Sequence, residues 1–453
     1  MNNLIRTRIR WQIDNFKKSF LQGQNLPFND FFPTDTIETI IAHTPHKRSS
    51  VFSPLITLQA FIFQVLSDDS SCKLAVAGVL VDRVSLGQSA NSVNTGPYCK
   101  ARQRLPLTQM SQAVATTGSR LHQQSPLAWL WHGLNVVLAD GTTVLMPDTP
   151  KNQAVFPQQS KQKPGLGFPI ARLLALISLT TGTIIDYRLG AYQGKGTGET
   201  SLFSQMLNSL LTGDLLLADR YYCTFAIIAI LQAKGIPVLF PLHANKKADF
   251  RQGSKLAAKD HLVEWQKPKR KPVWMTAWEY AGLPELIMVR EVKVKGIVYV
   301  TTLLNAKQFN KQELANLYKE RWKIELDFLA IKTHMGMELL RCKTPEMVQK
   351  EIAVHLLAYN IIRGNLAKAA VMHNKIPRQL SFRSAVQLAC QAAKRLIVLT
   401  GKLLTHILLA LLKAMASTSI GLQKRKNQPR AIKRRPKPFP LLTVPRHEAC
   451  LSL

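Results

Sequence analysis

The run ARLLALISLTTGTIIDYRLG, residues 171–190, decides the fold class of this chain. Its first nine residues are almost all apolar, as in strands that are buried on both faces. Thr181-Gly182 then interrupts the run, and apolar and polar residues alternate from Ile185 to Leu189 as in a half-exposed strand. The segment therefore predicts two strands at the antiparallel start of a sheet.

The flanking sequence extends this pattern into an α/β fold. The predicted strands are 135–139, 171–179, 185–189, 215–218 and 236–242, and the predicted helices between them are 199–211 and 224–234. An antiparallel start followed by alternating helices and strands is typical of a mixed sheet covered by helices.

Three further regions differ from this core in composition and in hydrophobic pattern. Residues 1–125 carry apolar clusters at helical spacing, and 243–302 is basic, Trp-bearing and ends in alternating runs, which predicts a β-rich insertion. A long helix is predicted at about Lys311–His334. Mostly helical sequence follows to about Ala416, and a Lys/Arg/Pro-rich tail covers Lys424–Lys437.

The composition limits the class of protein. The 453 residues include 60 Lys and Arg against 27 Asp and Glu, a net charge of +33, which favours a polyanionic partner such as nucleic acid. With 46% hydrophobic residues the chain is not a disordered one. The most apolar stretch, 396–416, contains two lysines and a histidine, so no membrane role is predicted. The six cysteines are widely separated, and we expect reduced thiols in a cytoplasmic protein.

The predicted helix at 311–334 presents an unusual set of side chains. Tyr318, Arg321, Glu325 and Lys332 fall within an arc of about 60° on one face of a regular helix. One interpretation is a surface ion-pair ladder, since Arg321 and Glu325 are i,i+4 neighbours. The other is phosphodiester chemistry, which needs a carboxylate for a metal ion and cations for the phosphate.

Two aspartates follow apolar strand patterns, where open α/β sheets place functional groups. Asp140 follows NVVLA and Asp219 follows LLLA. Asp140-Gly141 is also a strong hairpin signal, and Asp219 is also a candidate helix N-cap, so both alternatives stay open. With Glu325, the two aspartates would give three carboxylates for a divalent metal pair.

The motif YKERWKIELDFLAIK, residues 318–332, resembles the Tyr-x2-Arg-x3-Glu-x6-Lys signature of DDE-type bacterial transposases of the insertion sequence four family. The segments LADGTT around Asp140 and LADRYYCTF around Asp219 are similar to the family's two Asp regions. Together with YCKARQRL, the resemblance spans about 95–365.

The resemblance implies a ribonuclease H-like (retroviral integrase-type) catalytic core, interrupted by a β-rich insertion and flanked by helical regions. It implies Asp140, Asp219 and Glu325 as catalytic ligands of two Mg²⁺ ions, which Mn²⁺ can replace. Tyr318, Arg321 and Lys332 would contact DNA. The expected activity is cut-and-paste transposition by cleavage and strand transfer, on terminal inverted repeats and target DNA, by a homodimer in a synaptic complex associated with the bacterial nucleoid.

Two basic segments are further candidates for DNA contact. Lys100, Arg102 and Arg104 lie beside Tyr98 and suit phosphate contact, although a solvated helix face explains them equally well. In the insertion, Trp265, Trp274 and Trp278 lie among lysines and an arginine. The resemblance makes them candidates for stacking on a flipped base, as in relatives that pass through a hairpinned DNA end. The alternative is that they pack a small core.

We predict five segments on this basis: a helical DNA-binding domain at 1–125, a core at 126–242 and 303–365, an insertion at 243–302, and a basic C-terminal region at 366–453. Two other functions remain open at this point. One is a ribonuclease H-like nuclease that cuts DNA without joining it, and the other is a DNA-binding protein without catalytic activity.

Overall fold

The computed structural model describes residues 2–22, 28, 31–45, 50–90, 92–194, 196–419, 443–445 and 448. The basic tail at Lys424–Lys437 lies outside the described residues, and what the sequence predicts for it stays a prediction. Within the described residues, no helix is long and apolar enough to cross a membrane.

A single nine-stranded sheet organises the described part of the chain. Its order is β3-β2-β1-β4-β5-β9-β8-β7-β6. β1 pairs antiparallel with β2 and parallel with β4, and β4 is parallel to β5, so the predicted mixed sheet is confirmed. The strands are β1 Asn135–Leu145, β2 Ile170–Ser178, β3 Ile184–Ala191, β4 Asp214–Leu217, β5 Val238–Pro241, β6 Ser254–Ala257, β7 Asp260–Gln266, β8 Leu286–Val294 and β9 Ile297–Thr301.

Helices cover both faces of this sheet. Successive residues of β1 alternate between two apolar cores, with Val136 and Leu138 in one and Val137 and Ala139 in the other. The helices are α1 Asn2–Ser19, α2 Thr34–Ala42, α3 Pro54–Leu66, α4 Cys72–Ser85, α5 Gly96–Arg104, α6 Leu107–Gln123, α7 Pro150–Val155, α8 Glu199–Ser204, α9 Phe225–Ala233, α10 Ala277–Ala281, α11 Lys311–Lys319, α12 Lys323–Leu329, α13 Pro345–Met372, α14 Phe382–Leu396 and α15 Gly401–Ser417.

The strand that carries Asp140 is longer than the sequence predicts. β1 runs through Asp140-Gly141 to Leu145, and these two residues pair with Ala175 and Leu174 of β2. The hairpin interpretation of Asp-Gly is therefore wrong, because the chain stays extended and paired at that point. Asp140 lies in the middle of a strand, not at its end.

The helix predicted at 199–211, in contrast, is shorter than the sequence predicts. It ends at Ser204, and only a 3₁₀ turn at Leu207–Ser209 follows.

The segment 243–302 holds four strands and the short helix α10, and it extends the core sheet. β9 pairs antiparallel with β5, and β8, β7 and β6 follow outward in order. The strands of the insertion and of the core therefore share one hydrogen-bonded ladder. The domain boundaries that we predict remain a prediction.

Helix α13 is the central helix of the larger core. Residues along most of its 28-residue length are buried, and it packs against α3, α6, α14 and α15. Helices from the N- and C-terminal regions thus meet on one element and cover the same face of the sheet.

Candidate active site

The parallel register of β1 and β4 brings the two predicted aspartates together. Leu138 pairs with Leu217, and Asp140 and Asp219 each lie two residues further along. Neighbouring strands are about 4.8 Å apart, so the aspartates are side by side at the end of β4. The Oδ1 atom of Asp219 also accepts a hydrogen bond from Tyr221 N at 2.7 Å. The N-cap interpretation is thus observed, for a single 3₁₀ turn, and leaves the second carboxylate oxygen free for other contacts.

Arg321 connects the helix of the motif to this pair. Its Nη1 donates to Asp140 Oδ2 at 2.9 Å, and its Nη2 donates to Glu325 Oε1 at 3.5 Å. The intrahelical ion pair is therefore present, as the ladder interpretation predicts, but the shorter contact crosses to the sheet. The Glu325 side chain is 65% exposed. One guanidinium thus lies between two of the three predicted carboxylates.

The helix that carries the motif is not regular. α11 is followed by a 3₁₀ turn at Glu320–Trp322, then by α12, and then by a π-helical segment at Ala330–His334. The regular wheel that we use for the prediction is therefore only approximate, because 3₁₀ and π turns differ from 100° per residue.

The four residues of the motif are only partly brought together. Tyr318 packs on Tyr299 with ring centroids 5.2 Å apart, and it lines the same cleft as Arg321. Lys332 lines a different cleft, beside Thr143 and Leu145. It is about 16 Å further along the helix than Arg321, at 1.5 Å per residue.

Burial and charge set the protonation of the site. Burial raises the pKa of Asp140, and the charge of Asp219 adds to this effect, while the Gly141 N–H and Arg321 oppose it. Burial also raises the pKa of Tyr318 to about 12, so its phenol is neutral at physiological pH.

A fourth carboxylate, which the sequence analysis misses, adjoins the pair. Glu199 is the first residue of α8, and its pKa is raised by burial and further by the charges of Asp140 and Asp219, against the opposing charge of Arg172. Arg172 of β2 lies 3.7 Å from Glu199, measured from Nε to Oε1. No motif flags Glu199, since its neighbours in space are distant in sequence.

Below the site, a buried ion cluster holds α12 in place. Asp327 is fully buried, and its Oδ1 accepts hydrogen bonds from Tyr359 Oη and Arg363 Nη2, each at 2.8 Å, and from Arg378. Arg378 also donates to the carbonyls of Leu179 and Ser178. The helix of Glu325 is thereby tied to α13 and to the β2–β3 turn.

The structure corrects one of the predicted DNA contacts. Arg102 is only 8% exposed, and its guanidinium packs on the rings of Phe61 and Tyr98 at 4.8 and 5.0 Å. A phosphate cannot reach it in this position, because the aromatic side chains enclose it. Lys100 is exposed and Arg104 is half-buried, so both stay candidates.

The three tryptophans of the insertion have different environments. Trp265 is buried, its Nε1 donates to Glu291 Oε1 at 2.9 Å, and Lys246 lies over its ring. The packing interpretation therefore holds for Trp265, and base stacking there is excluded in this conformation. Trp274 is half-buried against the smaller core, whereas Trp278 is 84% exposed. Of the three, Trp278 is the one whose ring is open to a base.

Comparison with known proteins identifies the family that this chain resembles. The family model of the transposase DDE domain matches residues 131–361, about half of the chain. The transposase InsG of insertion sequence element IS4 from Escherichia coli K12 is 28% identical over 372 residues, which is 80% of this chain and 82% of that protein. The transposase of insertion sequence element IS421 from Escherichia coli is 30% identical over 77 residues, 17% of this chain and 21% of that protein. The solved structure of a piggyBac transposase synaptic complex with hairpin DNA covers 88% of this chain and 85% of its own, at 9% identity and a TM-score of 0.45.

The chain belongs to the transposase DDE domain family. The resemblance drawn from the Tyr-Arg-Glu-Lys spacing is thus confirmed, and the chain is a DNA-binding enzyme of the transposase class.

Enzymes of this family use divalent metal ions, and the residues present suit such an ion chemically. Carboxylate oxygens are the ligands that hard divalent cations prefer, and Asp140 and Asp219 supply them side by side. Among the described residues, however, no three His, Cys, Asp or Glu side chains are close enough to ligate one ion. Glu325 stays apart from the aspartates because Arg321 lies between them.

Proposed function

We propose that this transposase catalyses cut-and-paste transposition of its own insertion sequence, with Asp140, Asp219 and Glu325 as the ligands of two Mg²⁺ ions. The observation that carries the proposal is the placement of Asp140 and Asp219, each two residues beyond the paired Leu138 and Leu217. Arg321 joins Asp140 to Glu325. We further propose that β1–β5 with their covering helices form a ribonuclease H-like core.

The site lacks an activated nucleophilic side chain, so its residues would position groups and balance charge. Asp140 and Asp219 would hold the metal ions at the end of β4. The chemistry that bound ions would supply there is activation of water or a DNA 3′-hydroxyl as the nucleophile and stabilisation of negative charge on the phosphate. Arg321 exchanges its contact with Asp140 for the scissile phosphate, since a guanidinium binds phosphate in two-pronged fashion.

DNA is the substrate, and the positive charge of the whole chain favours its binding. The net charge of +33 favours polyphosphate binding. We propose that terminal inverted repeats and target DNA are both bound, by a homodimer that brings two ends together, with Tyr318, Lys332, Lys100 and Arg104 among the contacts.

The test uses purified protein and linear DNA that carries the ends of the element, with and without Mg²⁺. We expect cleavage at the ends, and strand transfer into a plasmid, only with the metal. Asp140→Asn, Asp219→Asn and Glu325→Gln should each lower cleavage by at least 100-fold while a gel shift on the same ends stays within about threefold, because amides keep the shape but lose the charge that a metal ligand needs.

Three other outcomes would contradict parts of the proposal. Near-normal cutting by one of the variants would remove that residue from the site. Cleavage without metal would refute the metal mechanism, and cutting without strand transfer would favour a simple nuclease.

A further inference from the structure

The carboxylate of Glu199 lies directly over Gly141, the chain neighbour of Asp140. A Cβ atom built on Gly141 would be 3.2 Å from both Cδ and Oε1 of Glu199, closer than side chains normally approach. A larger residue at 141 would therefore have to displace the Glu199 side chain, and the glycine here makes space and does not form a turn. The extended backbone at this glycine gives the Glu199 carboxylate direct access to β1.

The position of Glu199 is set by Arg172 on the neighbouring strand. Besides its 3.7 Å contact to Glu199, Arg172 donates from Nη1 to the carbonyl of Thr197 at 3.0 Å. It thus holds both the carboxylate and the backbone just before α8. Within the described part of the chain, no donor makes a hydrogen bond to the Glu199 carboxylate, so its oxygens remain available.

Asp140 and Glu199 approach from opposite faces of the sheet. Asp140 continues the face of Leu138, whereas Gly141, which Glu199 covers, continues the face of Ala139. β4 ends at Leu217, opposite Leu138, and the next pairing on that edge of β1 is the isolated bridge between Leu145 and Leu339. Among the described residues, that edge is therefore unpaired from Asp140 to Val144. A cation at this open edge would lie between the two faces from which the carboxylates approach.

A buried hydroxyl beside these carboxylates has no partner. Tyr222 is fully buried, and among the described residues nothing makes a hydrogen bond to its Oη. Tyr222 ends the 3₁₀ turn that Asp219 caps, and burial, followed by the charges of Glu199, Asp140 and Asp219, raises the pKa of its hydroxyl. An unsatisfied buried hydroxyl is costly, and a hydrated cation at the open edge would supply water to satisfy it.

We propose that Glu199 is a fourth carboxylate of the active site and binds a divalent cation together with Asp140, with Arg172 as its positioning residue. This assignment rests on the proposed metal site of Asp140 and Asp219. Glu199 would supply an additional anionic ligand, which two ions need because Arg321 lies between Glu325 and Asp140.

The test measures Mn²⁺ binding to the full-length protein without DNA, by electron paramagnetic resonance of the free ion. Glu199→Gln should weaken the Mn²⁺ affinity about tenfold, or remove one bound ion. Glu264→Gln removes the same charge from the exposed face of β7 and should bind Mn²⁺ as the wild type does. Wild-type binding by Glu199→Gln would overturn the assignment.

Gly141→Ala gives a second, independent test because it keeps every carboxylate. The added methyl group should push Glu199 aside and weaken Mn²⁺ binding by a similar factor. If both variants act through Glu199, their effects should not add in the double variant, and additive effects would contradict the proposal. Circular dichroism melting in EDTA checks that each variant is folded.

The outcomes also separate this inference from the proposed function. If Asp140→Asn weakens Mn²⁺ binding and Glu199→Gln does not, only the role of Glu199 fails. If neither changes binding, the metal site itself is wrong, and the inference fails with it.

Discussion

Arg102 has the sequence context of a DNA contact and the environment of a core residue. Its guanidinium lies between two aromatic rings and donates to Gln64 Oε1 at 3.3 Å. We expect Arg102→Ala to lower the free energy of unfolding by about 2 kcal/mol, because it removes two cation–π contacts and one of the two hydrogen bonds to Gln64 Oε1, which Tyr98 Oη also donates to. Urea denaturation followed by circular dichroism measures this.

Lys100 is the matched control for Arg102, because it is also a cation and lies two residues before Arg102 in the same helix. It is exposed, so Lys100→Ala should leave stability within about 0.5 kcal/mol. It should instead reduce the salt dependence of DNA binding by roughly 0.9 in log–log units, one phosphate contact. If Arg102→Ala instead reduced the salt dependence of DNA binding and Lys100→Ala reduced stability, Arg102 would again be a candidate DNA contact.

Asp140 predicts a pH dependence of stability in the metal-free protein. Its pKa in the folded state is raised above the ordinary 3.8, chiefly by burial. Between these two pKa values the folded protein holds a proton that the unfolded chain has lost, so stability falls as the pH rises through this window and stays reduced above it. Asp140→Asn cannot ionise, so it should melt above the wild type in EDTA at pH 7.

The difference between the two proteins should shrink as the pH is lowered through the raised pKa of Asp140, because the wild-type carboxyl then gains its proton. A variant that melts below the wild type at pH 7 would show that the ion pair with Arg321 outweighs burial.

At the scale of the helix, Glu325 and Asp327 are two acidic residues of α12 with opposite roles. Asp327→Asn should cost about 3–5 kcal/mol of stability, because it leaves the buried Arg363 and Arg378 without their counter-charge. Glu325→Gln should leave the urea midpoint unchanged and abolish cleavage. Equal stability of the two variants would contradict the anchoring role of Asp327.

The sequence predicts this helix and its signature but not its internal shape or its support. Tyr318, Arg321 and Glu325 are local neighbours, so periodicity places them correctly. Asp327 binds Arg378, 51 residues away, and Glu199 lies over Gly141, 58 residues away. Pairs this distant leave no periodic trace in one sequence, which is why both the anchor and the fourth carboxylate escape prediction.

At the scale of the whole molecule, the sequence predicts individual strands but not the pairing of strands that are distant in sequence. Alternating apolar residues predict strands in 243–302, yet no pattern shows that β9 pairs with β5, because that pairing spans about 60 residues. All five strands of the core are predicted, by contrast, since each carries a local apolar run or alternation, although the prediction stops β1 at residue 139 and the strand continues to Leu145.

Continuity of the sheet predicts that the insertion cannot be removed as a unit. Deleting 243–302 would expose β5, whose four residues are all buried, and we expect an insoluble or unfolded product. A matched control removes only 268–284, whose flanking residues Lys267 and Glu285 are already joined by a 2.8 Å hydrogen bond. This shorter variant should melt cooperatively, as thermal denaturation would show. A folded protein without 243–302 would mean that the insertion is an independent domain.

The placement of Gly141 directly after Asp140 has a practical consequence for chemical ageing. Asp140→Asn creates an Asn-Gly pair, the sequence in which a backbone nitrogen most readily attacks the preceding side-chain amide. In the wild type the Gly141 nitrogen lies 2.8 Å from Asp140 Oδ1, and the paired strand keeps the chain extended. Whenever the variant unfolds or frays, this attack expels ammonia and closes a succinimide ring, which water then opens to a mixture of isoaspartate and aspartate. Activity that increases with the age of an Asp140→Asn preparation therefore reports reversion to the parent residue, and freshly prepared Asp140→Ala protein is the better inactive reference.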